Sequence, residues 1–150
     1  TLDELTKSQV AERKGINNNP SPEQIENLKA LAVNILQPVR SHFDKPLIIS
    51  SGFRCPQLCL EIGSSVNSQH CADEEAAAAD FEIPGVDNKE LGTWIRNNLE
   101  VDQGILEFYK DGEPSSGWIH VSYSRNHNRQ QWLRAMREEG KVIYKPWLGE

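Results

Sequence analysis

The stretch SSVNSQHCADEEAAAADFEIPG, Ser64–Gly85, decides how this chain is to be read. It sets a histidine, His70, and an aspartate, Asp80, on either side of an alanine-rich run. Local physics favours a short helix between them. Asp73 is a good N-cap, Glu74 and Glu75 suit the positive end of a helix dipole, and four alanines follow. A helix this short is marginal in water on its own, so tertiary contacts decide whether Asp80 reaches a site or a surface. The closing DFEIPG reads as a strand ended by a turn.

Upstream, LIISSGF from Leu47 is a short apolar run after Pro46 and reads as a buried strand. Before it, Thr1 and Glu4 fit a capping box, and Thr6 to Lys14 suits a short helix ended by Gly15. After the loop GINNNPSP, Ser21 with Pro22 and Gln24 opens a second helix. Its apolar face is Ile25, Leu28, Ala32, Ile35, Leu36 and Val39, and Pro38 predicts a kink near its end.

Downstream, NKELGTWIRNNL (Asn88–Leu99) reads as a helix. QGILEFY and GWIHVSY then read as strands, joined by a KDGEPSS hairpin loop. A late helix is expected from about Asn128 to Glu139, with VIYKPWL as an edge strand after it. No internal repeat or linker interrupts the chain. Helices first and clustered strands later predict an α+β fold, a small antiparallel sheet packed with helices, in one domain over 1–150.

The 150 residues suffice for a core without staples, and 37% hydrophobic content argues for a globule. A net charge of −6 offers no basic footprint, so nucleic acid is excluded as a first partner. The late cations in RNHNRQQWLRAMREEGK are broken by Glu138 and Glu139 and read as a solvated helix face. No apolar run is long enough for a membrane span. The three cysteines, Cys55, Cys59 and Cys71, suggest reduced thiols, with a Cys55–Cys59 or Cys59–Cys71 bridge as the alternative.

Imidazole and carboxylate groups are the usual zinc ligands of catalytic sites, which keep a position open for water. His70, Asp80 and His120 are three such donors at strand edges or adjoining loops. Strand alternation points His120 away from its apolar neighbours Ile119 and Val121. Taken alone, a histidine in that setting is more often a satisfied structural residue.

The segments SSGFRCP, SQH, AADFEIPG, ILEFY and GWIHVSY occur in an order that resembles a family of zinc peptidases acting on bacterial cell walls. The likeness is to the branch holding zinc D-alanyl-D-alanine carboxypeptidases and phage cell-wall endopeptidases. It starts at the N-terminus and covers most of the chain. The resemblance implies the compact fold shared with Hedgehog signalling domains and a zinc ion held by His70, Asp80 and His120. It implies that Ser68 opens the Ser-x-His motif at the substrate site and that Arg54 holds a substrate carboxylate. Some relatives carry an acidic residue three positions before the last histidine. Gly117 stands there in this chain, and Glu107 is the expected substitute as general base.

The expected substrate is a peptidoglycan stem peptide, cut by carboxypeptidase or phage-type endopeptidase action of a monomer. With no signal-peptide core at the N-terminus, the expectation is cytoplasmic synthesis and action at the bacterial cell wall or periplasm, as for a phage-encoded lysin.

The chain departs from the family motif, in which aspartate follows histidine by seven positions and a glycine lies between. Here the spacing is ten and Asp73 takes the glycine position. Three arrangements follow. The extra residues bulge outward while Asp80 still binds, which is the expectation adopted. Or Asp73, Glu74 or Glu75 replaces Asp80. Or the site is dismantled and the protein is a non-catalytic cell-wall-binding or structural relative. Cys71 as a ligand has no family precedent. Gly104, in a strand usually apolar there, is a further departure.

Overall fold

In a computed structural model, residues 1–61, 68–72 and 75–148 are described. The capping boxes at Thr1/Glu4 and Ser21/Gln24 both form. The first starts α1 (Leu2–Thr6), and Ser8 caps a separate α2 (Gln9–Lys14) that ends at a left-handed Gly15. Helix α3 (Pro22–Leu31) continues through a π turn (Ala32–Leu36) into α4 (Gln37–Phe43). The kink expected at Pro38 takes this form: proline lacks an N–H and crowds the carbonyl four residues back, and the widened turn precedes it.

Next come β1 (Ile48–Ser51), α5 (Pro56–Glu61) and a 3-10 turn (Gln69–Cys71). These are followed by β2 (Ala76–Glu82), α6 (Asn88–Asn98), β3 (Gln103–Glu107), β4 (Trp118–Ser124), β5 (Gln131–Glu138) and β6 (Lys141–Pro146). The fold is α+β, with one six-stranded sheet in the order β1-β2-β4-β3-β5-β6.

Every adjacent strand pair is antiparallel except β3 with β5. The exception arises because the segment 125–130 steps over the start of β3, so β5 lies on its far side. The Gln130 N–H donates to the Val101 carbonyl there, and the Arg129 N–H to the Asp102 carboxylate.

Period-two alternation gives the sheet two unlike faces. Ala77, Ala79, Phe81, Leu106, Ile119, Val121 and Trp132 join Leu28, Leu31, Ile35, Val39, Leu91 and Ile95 of the helices in one core. The opposite face carries Asp80, Gln103, Glu107, His120 and Ser124 along a groove.

Three expectations are corrected. The alanine run is strand, not helix, because Ala76–Ala79 pair with β4 and their small side chains are buried on both faces. Such burial outweighs the helix propensity of alanine, at most about 1 kcal/mol per residue among non-proline types. The segment expected as a late helix is β5, paired on both sides, so its cations do not form a helix face. Arg134 and Arg137 instead lie over the rings of Tyr109 and Phe108. And β1 is a half-exposed terminal strand, with Ile48 at 50% exposure, rather than a buried one.

The cysteines form no disulfide, although the buried sulfurs of Cys59 and Cys71 lie 3.1 Å apart. Among the described residues, no helix is long and apolar enough to cross a membrane.

Candidate metal centre

Asp80 and His120 face each other directly in the β2–β4 ladder, on the groove side. Their side chains meet, His120 Nδ1 lying 2.8 Å from Asp80 Oδ1. His70 arrives from outside the sheet on the 3-10 turn and sets its Nε2 3.3 Å from the same oxygen. One ligand atom from each of the three lies within 4.8 Å of the other two.

The turn carrying His70 is fixed from several sides. Ser68 caps it, its Oγ accepting from the His70 N–H at 3.2 Å. The Arg54 N–H donates to the His70 carbonyl at 2.8 Å. Asn27 and Gln24 on α3 donate to the Ala72 and Cys71 carbonyls. His70 Nδ1 lies 2.7 Å from the Gly52 carbonyl oxygen, so Nδ1 carries the proton and Nε2 presents a lone pair toward Asp80.

The electrostatics suit a cation. Burial pushes the His70 imidazole below its ordinary pKa, keeping it neutral as metal binding requires. Burial works against the Asp80 carboxylate, yet the hydrogen bond with His120 and the two adjoining imidazoles outweigh it and hold that group well below the usual carboxylate range. Two imidazoles and one carboxylate, converging beside a groove of ≈ 920 Å³, fit zinc with a coordination position left open.

Around this centre, Arg54 donates through Nε and Nη2 to Ser51 Oγ, and its Nη2 stands 3.7 Å from Asp80 Oδ2. Glu107 lines the same groove from β3, two positions beyond Ile105, the residue paired with His120. Burial raises the Glu107 carboxyl, and the neighbouring charge of Asp80 adds to the effect.

A family model described as Peptidase M15 matches residues 1–122. The chain belongs to the Peptidase M15 family. No curated protein matches it. The M15 match ends before β5, yet β5 and β6 extend the same sheet.

Ala76–Ala79 pair with Val121–Ser124, and this pairing delivers Asp80 opposite His120. The outward bulge expected between His70 and Asp80 falls in part on residues 73–74, which lie outside the described residues. Asp73 and Glu74, considered as substitute ligands, lie outside the described residues. Glu75 is exposed at φ 64 and belongs to no donor cluster found among the described residues.

Sequence reasoning missed the other end of the groove. Buried Asp102 accepts from Gln69 at 2.5 Å and from Arg129 Nε and Nη2 at 3.0 and 2.9 Å. Gln69 adjoins His70, but no periodicity or motif announces its partner.

Proposed function

We propose that the protein is a zinc peptidase that hydrolyses stem peptides of bacterial peptidoglycan. The observation that carries this reading is the convergence of His70, Asp80 and His120, both imidazoles in contact with Asp80 Oδ1, beside an open groove in a chain of the Peptidase M15 family. Zinc held by these three donors supplies a Lewis acid for the scissile carbonyl and lowers the pKa of water to about 7.

The protein's own groups do the rest. Glu107, raised by burial, accepts the proton of the attacking water and returns it to the leaving amine. Arg54, braced on Ser51, meets a substrate carboxylate with parallel N–H bonds. Ser68 caps the His70 turn and lines the groove, where its hydroxyl also contacts the peptide. The substrate places the site of action at the bacterial cell wall, and a phage-encoded lysin is the setting we favour.

Zinc content by mass spectrometry tests the centre. About one zinc per chain is expected, lost in Asp80→Ala. Purified peptidoglycan tests the reaction: new amino ends should appear, and His120→Ala should abolish them while the fold is kept. Sacculi retained without cleavage by a zinc-free protein would instead establish a binding domain.

A further inference from the structure

Beside the catalytic groove runs a second one, ≈ 630 Å³ in volume, between β1 and the first two helices. The two grooves share Arg54. One wall of the second is β1 itself, the terminal strand of the sheet. At the strand's end the Phe53 N–H donates to the Leu5 carbonyl. Among the described residues no other backbone group pairs with the outer edge of Ile48–Ser51.

The charge of this groove is opposite to that of the whole chain. Lys7, Arg13 and Arg54 stand against a single carboxylate, Glu4, an excess of two positive charges in a protein of net charge −6. An exposed strand edge offers alternating N–H and C=O groups to an extended peptide, and such addition is a common mode of peptide recognition. Four residues of β1 span roughly 13 Å at about 3.3 Å each, room for three or four peptide residues.

We infer that the β1 groove receives the acidic peptide segment beyond the scissile bond, so that the enzyme cuts within a peptide instead of trimming its end. This rests on the zinc-peptidase reading. An enzyme that removes a terminal residue needs a wall behind the arginine that holds the chain's last carboxylate. Here Arg54 does not close a pocket on its own: it also lines the second groove, one wall of which is a strand edge. In an internal cut, the carboxylate that Arg54 meets belongs to a side chain or branch of the stem peptide.

Two peptides of one stem sequence test the inference: one ending a single residue after the scissile bond, one continued by three residues that include a carboxylate. The longer is expected to have a kcat/KM roughly tenfold higher, a preference equivalent to about 1.4 kcal/mol. The double variant Lys7→Glu/Arg13→Glu should bring the ratio of long to short toward unity. Equal rates, or preference for the shorter peptide, would overturn the inference. A non-hydrolysable version of the long peptide, added to zinc-free protein, should shift the amide resonances of Ile48–Ser51. Should neither peptide be cleaved, the peptidase reading fails, and those shifts then decide the groove alone: present, the segment docks there; absent, it does not.

Discussion

A Cβ atom on Gly117 would lie 1.9 Å from the carbonyl oxygen of Glu107. Gly117 also has φ +65, a conformation costly for other residues. No side chain fits at the position three before His120, so the acidic residue that some relatives carry there has no counterpart in this chain. Glu107 reaches the groove from the neighbouring strand instead. Returning an acid to the family position should therefore fail. Gly117→Glu is expected to destabilise the fold by about 2 kcal/mol or more and not to rescue Glu107→Gln. Urea unfolding and peptide release would measure the two effects, and rescue would show that the base belongs at 117.

The Glu107 carboxyl is raised by burial and by Asp80, so the basic form appears only above the ordinary Glu range. Proton acceptance requires that form. The acid limb of kcat/KM is accordingly expected above the free-glutamate value of about 4.3. Glu107→Gln should lower kcat by roughly 10²- to 10⁴-fold. A Gln variant of full activity would remove Glu107 from the reaction.

Gly104 looked like a defect in β3, but the ring of Trp132 fills its place. A Cβ there would meet the ring carbons at 2.3–2.4 Å, and Trp132 is part of the core. Gly104→Ala should therefore cost about 1–3 kcal/mol by overpacking. Adding Trp132→Leu should recover part of that loss, and the double-mutant cycle should show a coupling of about 0.5 kcal/mol or more. Strictly additive effects would mean that the two positions do not press on each other.

What was legible in the sequence was mostly local chemistry. Both capping boxes, α6 and the β3–β4 hairpin follow from residues a few positions apart. The donor triad was reachable through motif order, and the long spacing between His70 and Asp80 hid only how the chain spans it. The two helix readings failed for one reason. AAAAD and QWLRAMRE carry helix-forming residues, yet both are strands of the sheet, where long-range pairing and burial decide. One signal for β5 was present in the sequence, Gly140 between the two runs: in the structure Glu139 and Gly140, both at positive φ, form the two-residue hairpin turn that pairs Glu138 with Lys141. The role of Asp102 left no trace, because its partners lie 27 and 33 positions away.

Asp102 joins the two pieces of chain that local chemistry leaves loosest. It receives Arg129 on the crossover that makes β5 parallel to β3, and Gln69 on the turn that carries His70. Burial opposes its charge, but donation from Arg129 and Gln69 outweighs that, leaving the carboxyl below its ordinary range. A carboxylate depressed in the fold contributes stability above its unfolded pKa of about 3.9 and loses it as pH falls through the lower folded value. Asp102→Asn should therefore lower stability at neutral pH and flatten the decline of the urea midpoint between about pH 5 and pH 2. It should also loosen the His70 turn, weakening zinc affinity by about 10- to 100-fold, as loss of support behind metal ligands does. Competition with a chelator measures the second effect separately from the first. Reduced stability with unchanged zinc affinity would confine Asp102 to the crossover; loss of both would tie the crossover to the metal centre through one carboxylate.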